Sequence, residues 1–269
     1  MPELPEVETT LHGASPTLLH QPLTGVTIRV PKLRLPTPNA ANIQGQTVIN
    51  LERRAKYILA HLSNHTTLLL HLGMSGRLTI NKPALEKNDH ILLQTPKGTI
   101  TFTDPRRFGL FLHLPTSQLA SHPLLKNLGP EPLGATFTTS YLHQALQKKS
   151  TAIKPTLMDN HIVVGVGNIY ASESLFRSHI HPQTRAHQLT KSHLNQLIKH
   201  IKQTLTDAIK AGGSSLKDFT HSNGQLGYFQ SQFNVYGREN QPCHRCQTKI
   251  KKITQAQRAT FFCPTCQKL

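Results

Sequence analysis

The sequence predicts an α+β multidomain chain: an N-terminal domain of short strands, a C-terminal helical domain, and a basic four-cysteine hairpin at its end. Three observations carry this. Short apolar runs separated by Gly, Pro, Asn and Lys-Gly turn signals fill residues 25–113. Apolar positions at helical spacing take over beyond Pro115, Pro123, Pro130 and Pro132. All four cysteines fall within the last 27 residues. A chain of 269 residues has room for one large or two modest domains. It buries about three quarters of its unfolded surface on folding, so the main core needs no staple.

The elements follow in order. Residues 2–12 read as a short helix, with Pro5 suited to its first turn and Glu6 and Glu8 suited to its positive N-terminal end. Eight strand-like runs come next: Val26–Val30, Val48–Leu51, Tyr57–His61, Leu68–His71, Leu78–Ile80, Ile91–Gln94, Thr99–Thr103 and Leu110–Leu114. Strands at such spacing suggest a sandwich or a barrel. Helical spacing is carried by Tyr141–Lys149, Ile153–Met158, Asn168–Phe176 and Leu189–Ala211, with Gly212-Gly213 as a C-terminal cap. Residues 214–236, with Gly224 and Gly227, have little periodicity and read as a loop that orders on ligand.

Composition bounds the function. Thirty Lys and Arg against 13 Asp and Glu leave a formal charge of +17, which points to a polyanionic partner. With 37% hydrophobic residues in recurrent runs, the chain is no disordered basic tail. No apolar stretch approaches the roughly 18 residues that a membrane span needs. The start, Met-Pro-Glu-Leu-Pro-Glu-Val-Glu, is acidic where a signal peptide would be basic and then apolar, so a cytoplasmic location is expected.

Cys243, Cys246, Cys263 and Cys266 form C-x2-C, a gap of sixteen residues, and a second C-x2-C. This is the spacing of one four-thiolate zinc site on two tight turns joined by a hairpin. The module carries Arg238, Arg245, Lys249, Lys251, Lys252, Arg258 and Lys268 against the single acid Glu239.

Five places suggest chemistry. Met1 precedes a small residue, and its removal exposes the secondary amine of Pro2. An α-amino group has a reference pKa near 8, so a useful neutral fraction exists at pH 7. Such an amine attacks an aldehyde-like sugar carbon to give a cationic iminium, an electron sink for elimination. Glu3 and Glu6 stand beside it as acid and base; taken alone, they also suit an ordinary helix start. In Arg53-Arg54-Ala55-Lys56-Tyr57, alternation at a strand edge puts Arg54 and Lys56 on one face, as a phosphate clamp or proton donor, or as a solvated charge cluster. In Gly165-Val166-Gly167-Asn168, the glycines allow close approach and Asn168 is a good N-cap, which either opens the following helix to an anion or makes a plain turn and cap. Arg258 lies near the finger's hairpin tip, within reach of a groove or a phosphate, or as one of several solvated basic residues. Met74, Arg106 and Phe108 sit at breaks between strands, where they act as wedges between bases or as core.

Together these motifs resemble one family, the formamidopyrimidine-DNA glycosylases, bacterial enzymes that remove 8-oxoguanine and ring-opened purines from DNA. Pro2–Glu8, Arg53–Tyr57, His71–Gly76, Asp104–Gly109, Thr151–Met158, Val164–Glu173, Gly212–Phe219 and the closing cysteine hairpin match in order, over essentially the whole chain. The resemblance implies a β-sandwich flanked by helices over 1–130, a helix–two-turn–helix domain over 131–236 and a zinc finger over 237–269. It implies a DNA glycosylase and AP lyase, with one structural Zn2+, acting as a monomer on duplex DNA that contains oxidised purines or AP sites, without a membrane and at the bacterial nucleoid.

By the same resemblance, Pro2 is the nucleophile at C1′ and Glu3 the acid/base that helps open the sugar. Glu6 supports that network, and Lys56 clamps the substrate and donates a proton for β-elimination. Arg258 binds phosphate and serves δ-elimination. His71, Arg106, Lys149 and Asn168 contact the DNA backbone or the opposite strand. Met74, Arg106 and Phe108 fill the void left by a flipped nucleotide. Residues 214–228 close over the flipped base. The family often has His where this chain has Asn88; Asn can donate a hydrogen bond but cannot carry charge, so the family's DNA contact is not carried over to it. The sister endonuclease VIII family diverges after its first two residues, whereas Leu4-Pro5-Glu6-Val7-Glu8 holds here. A non-catalytic zinc-ribbon protein would leave Pro2, Glu3 and Lys56 as coincidence.

Overall fold

The computed structural model describes residues 2–214 and 228–269. The substrate loop expected over 214–228 therefore lies, apart from its two end residues, outside the described residues. The chain groups into two compact units, Met1–Lys126 with Ala211–Tyr228, and Asn127–Lys210 with Phe229–Leu269.

The first unit opens with helix α1, Leu4–Leu18. Glu3 is its N-cap and forms a reciprocal capping box with Glu6, and Pro5 sits in the first turn, where its missing N–H costs nothing. The helix runs six residues beyond the expected end at 12. Val7, Leu11, Ala14 and Leu18 form one buried stripe against the sandwich core, and that burial outweighs the breakers Gly13 and Pro16.

Eight strands follow: β1 (Gly25–Ile28), β2 (Val48–Arg54), β3 (Tyr57–Leu62), β4 (Thr66–His71), β5 (Arg77–Ile80), β6 (Asp89–Thr95), β7 (Gly98–Thr103) and β8 (Leu110–Pro115). They form two antiparallel four-stranded sheets, β1-β6-β7-β5 and β2-β3-β4-β8. The sheets face each other over a shared core that includes Ile58, Ala60, Leu68 and Leu70 from one and Leu78, Ile91, Leu93, Ile100 and Phe102 from the other. The choice between sandwich and barrel thus resolves to a sandwich with a helix packed on it. Thr67–Leu70 of β4 is buried along its whole length, which is why its sequence reads as an unbroken apolar run rather than an alternation.

The second unit holds α2 (Thr139–Leu146), α3 (Ile153–Leu157), α4 (Asn168–Arg177), α5 (Lys191–Lys210) and the hairpin β9 (Lys251–Gln255) with β10 (Arg258–Phe262). In α5, Leu194, Leu197, Ile198, Ile201, Leu205 and Ala208 keep one apolar face buried. Phe176 of α4, Val235, Ile250 and Phe261 build a small core around the cysteines. A relay of rings, Tyr170, Phe229, Phe233, Tyr236 and Phe261, connects the helices to the finger with centroids 5.1–5.8 Å apart. Among the described residues no helix is long and apolar enough to cross a membrane.

Three local expectations are corrected. Helix α2 ends at Leu146, so Lys149 stands in the turn beyond it. The N-cap of α4 is Gly167, and Asn168 is the first helical residue. Lys56 lies in the two-residue turn that follows the last β2–β3 pair, Arg54 with Tyr57, so it does not continue the alternation of β2.

Candidate active site and nucleic-acid interface

Chain termini are ordinarily loose. Here Pro2, Glu3 and Glu6 are all buried in the first unit. The Glu3 amide donates to Glu6 Oε2 at 2.9 Å, and the Glu3 side chain accepts from the amide of Glu6. Glu6 Oε1 accepts from the amide and hydroxyl of Ser214 at 2.8 and 3.0 Å. Gly213 has φ +76°, and a Cβ there would press on Glu6 at 3.1 Å, so glycine is required for this contact. Both oxygens of Glu6 are therefore engaged in fixing backbone around the chain's first residues.

Lys56 is buried in its turn, preceded by Ala55 at φ +55°. In the neighbouring register His71 pairs with Tyr57, the two rings 5.0 Å apart. His71 Nδ1 accepts from the Gly73 amide at 2.9 Å, so the neutral ring carries its proton on Nε2. Burial, and then the cations of Lys56 and Arg34, push the His71 pKa down to about 4. At neutral pH His71 is thus an N–H donor without charge. A proton it gains only near pH 4 is bound by the unfolded chain already near 6.5. Its contribution to stability is complete above about pH 6.5 and is lost as pH falls towards 4. An NMR titration of the His71 ring should show its midpoint near 4; a midpoint at 6 or above would mean that the ring is not held in this environment.

Met74 and Phe108 are 37% and 47% exposed, among the few large apolar side chains that the unit leaves in solvent. Their two loops are latched together. Ser75 Oγ donates to Asp104 Oδ1 at 2.8 Å, the Gly109 amide donates to Asp104 Oδ2 at 2.7 Å, and the Arg106 amide reaches Ser75 Oγ at 3.3 Å. Gly73, at φ +66°, lets the first loop approach the backbone of Phe108 and Gly109 so closely that a Cβ would sit 2.6 Å from it. The Arg106 guanidinium lies 4.9 Å over the Phe108 ring. The Asn88 carbonyl accepts from the Asp104 amide.

In the second unit the Asn168 side chain does not cap its helix. Its Oδ1 accepts from Lys154 Nζ, and its Nδ2 donates to the Ala259 carbonyl at 2.9 Å. Lys154, only 1% exposed, also donates to Thr260 Oγ1 at 2.8 Å. Asn168 and Lys154 thereby grip β10 directly beside Arg258. Arg258 is exposed as the first residue after a turn whose two residues, Ala256 and Gln257, both have positive φ. Lys149 faces Asp159 at 3.9 Å. Glu173, fully buried, accepts from the amides of Asn234, Val235 and Tyr236, each at 2.9 Å, and so fixes the chain that leads into the finger.

The four cysteine sulfurs lie within 4.8 Å of one another, with 3.4, 3.5 and 3.9 Å for three of the pairs. Tetrahedral Zn2+ with Zn–S bonds of about 2.3 Å requires sulfurs about 3.8 Å apart. The set fits one structural zinc ion, which four thiolates would leave with no open position for water.

Sequence reasoning missed Glu8, Arg53, Ser75, Asp104, Lys154 and Glu173 as individual contributors. All six lie inside or beside recognised motifs, but their partners lie far along the chain. A buried charge needs a partner, so charges embedded in apolar stretches, as in Ile153-Lys154-Pro155, were the available signal.

Comparison with known proteins bears on the whole chain. Family profiles for the formamidopyrimidine-DNA glycosylase N-terminal domain, the formamidopyrimidine-DNA glycosylase H2TH domain and the zinc finger found in FPG and IleRS match residues 1–111, 128–220 and 240–269. The chain is 52% identical over 273 residues to the formamidopyrimidine-DNA glycosylase of Thiobacillus denitrificans, covering 100% of both. It is 50% identical over 271 residues to that of Shewanella loihica, covering 99% of each. Among solved structures, a Lactococcus lactis FPG mutant in complex with Fapy-dG-containing DNA superposes with TM-score 0.92 at 33% identity over 100% of both chains. MutM (FPG) from Thermus thermophilus superposes with TM-score 0.90 at 36% identity, covering 99% of this chain and 98% of that one. The Lactococcus lactis Fpg bound to DNA with an abasic site gives 0.91 at 33%, covering 99% of this chain and 100% of that one.

Proposed function

The chain belongs to the formamidopyrimidine-DNA glycosylase family, and we propose that it excises 8-oxoguanine and ring-opened purines from duplex DNA with Pro2 as the nucleophile. It is a DNA glycosylase and AP lyase of base excision repair. The observation that supports the proline reading is the buried, hydrogen-bonded start of the chain, where Pro2 and two carboxylates are held together in a protein of charge +17.

The chemistry follows from those groups. The target nucleotide must leave the stack before an amine can reach C1′. Met74, Arg106 and Phe108, exposed on latched loops, fill the gap and offset part of the unstacking cost. The neutral Pro2 nitrogen attacks C1′ and the C1′–N bond to the damaged base breaks, while Glu3 moves the proton that opens the sugar ring. The product is a cationic iminium. Its positive nitrogen accepts the electron pair released when C2′ loses a proton, giving an enamine, and returns it as the C3′–O bond breaks and the 3′ phosphate leaves with that bond's pair, with Lys56 in the proton-transfer and clamping role. A second elimination, served by Arg258, expels the 5′ phosphate and leaves a one-nucleotide gap. Glu6 holds the start of the chain through Ser214 and Glu3. His71, Arg106, Lys149 and Asn168 meet the DNA backbone or the opposite strand. Cys243, Cys246, Cys263 and Cys266 hold zinc, which stabilises the finger that presents Arg258. Functionally the chain divides into a catalytic sandwich over 1–130, a helical DNA-binding part over 131–236 and a finger over 237–269. With one Pro2 per chain, a monomer working at the bacterial nucleoid suffices.

Borohydride reduces an iminium to a stable amine, so it traps this intermediate. Trapping on a duplex with 8-oxoguanine opposite cytosine should yield a covalent adduct mapped to Pro2, and a one-nucleotide gap when borohydride is omitted. Stronger trapping on a thymine-glycol duplex would move the substrate to oxidised pyrimidines. No adduct on either would remove the Schiff-base mechanism.

A further inference from the structure

Glu8 and Arg53 form an ion pair that connects helix α1 to the turn carrying Lys56, and it has no part in the chemistry above. Arg53 Nε donates to Glu8 Oε2 at 2.5 Å, and Arg53 Nη1 donates to the Ala55 carbonyl at 2.9 Å. The Arg53 side chain is 9% exposed and that of Glu8 21%, so the pair is largely withdrawn from solvent. The other oxygen of Glu8 is also engaged, facing His12 Nε2 at 3.1 Å. Glu8 sits on α1, which begins at the Glu3 cap. The Ala55 carbonyl belongs to the peptide that joins Ala55 to Lys56.

That peptide is an unusual one. Ala55 has φ +55°, a left-handed conformation that alanine disfavours by about 1 kcal/mol or more. A two-residue turn with such a residue has competing arrangements that differ by a rotation of the central peptide plane. A guanidinium donating to the carbonyl selects one of them. Because the fork is rigid and its other arm is fixed to α1, the direction in which the Lys56 side chain leaves the turn is tied to the helix that carries Pro2 and Glu3.

From this geometry we infer that Arg53 and Glu8 are positioning residues, which set Lys56 against the Pro2–Glu3 start of the chain for the elimination step. The inference rests on the roles proposed above for Pro2 and Lys56.

The test uses the full-length, zinc-loaded protein. Arg53→Lys keeps a cation beside Glu8 but cannot hold both bonds of the fork. It should bind a duplex with a tetrahydrofuran abasic analogue with unchanged Kd, while the single-turnover rate of strand cleavage at a preformed AP site falls roughly 10- to 100-fold. Glu8→Gln, whose amide oxygen still accepts from Nε, should retain most of the rate. Arg53→Gln, a shorter uncharged side chain, removes the fork without changing the turn residues and should slow cleavage at unchanged Kd even if Arg53→Lys fails to fold. Wild-type cleavage rates in both Arg53→Lys and Arg53→Gln would overturn the inference, as would losses in Kd that account for the whole rate effect. Lys56→Ala separates the two levels: if it cleaves like wild type, the Lys56 role and this inference fall together; if it is slow while Arg53→Lys is fast, only the positioning role falls.

Discussion

Protein in which Met1 is retained, or in which an added N-terminal residue acylates Pro2, should lose borohydride trapping and base excision by about a thousandfold or more. An amide nitrogen has no lone pair free for attack on C1′, so this is removal of the nucleophile rather than its displacement. At 1.36 kcal/mol per tenfold, the loss corresponds to at least about 4 kcal/mol of transition-state stabilisation. Folding should be spared. The capping box uses the amide of Glu3 and the side chains of Glu3 and Glu6, none of which the extra residue consumes. Binding to an abasic-analogue duplex is therefore the internal control and should survive better than catalysis. An extended protein that traps DNA at the wild-type rate would move the nucleophile elsewhere, with a lysine as the first replacement to examine.

Removing zinc should produce the second large effect, and a different one. Cys263 is fully buried within the small cluster of Phe176, Val235, Ile250 and Phe261. That cluster is too small to hold the finger unaided, and ligand binding in such modules is worth on the order of 10 kcal/mol of folding. Cys263→Ser should lose zinc, melt the finger and weaken duplex binding about 100-fold or more at physiological salt, because the phosphate contacts of its basic residues are lost. The sandwich should keep its own thermal transition, since its core contains none of the cysteines. Metal analysis together with fluorescence anisotropy on an abasic-analogue duplex checks both statements. A zinc-free variant with wild-type affinity would show that the finger carries no part of the interface.

These expectations draw on two kinds of information, and the chain separates them. The strands were legible one by one because each is a local fact. A run such as Tyr57–His61 between turn residues has few ways to bury itself, and it appears as Tyr57–Leu62. Helix α5 was legible for the same reason, its apolar face repeating over five turns. The end of α1 was not, because Gly13 and Pro16 speak locally for a stop. Only the core that receives Leu11, Ala14 and Leu18 overrules them. Asn168 misled in the same way: its residue type favours a cap, but the side chain turns to Lys154 and β10, partners that only folding supplies.

By itself the sequence determined the identities of the chemical groups and the local frame of each. The prolyl start, the Glu3–Glu6 spacing that closes a capping box, the paired C-x2-C turns and the basic balance all lie within windows of a few residues or in composition. The tertiary structure alone decided which groups hold one another. Arg53 and Glu8 are 45 residues apart, Ser75 and Asp104 are 29 apart, and Lys154 and Thr260 are 106 apart. The physical reason is that backbone preference and hydrophobic period act over a few residues, and so leave a trace in local spacing. A hydrogen bond between distant side chains acts over about 3 Å in space, and its geometry exists only once register, turn and packing have brought its two ends together.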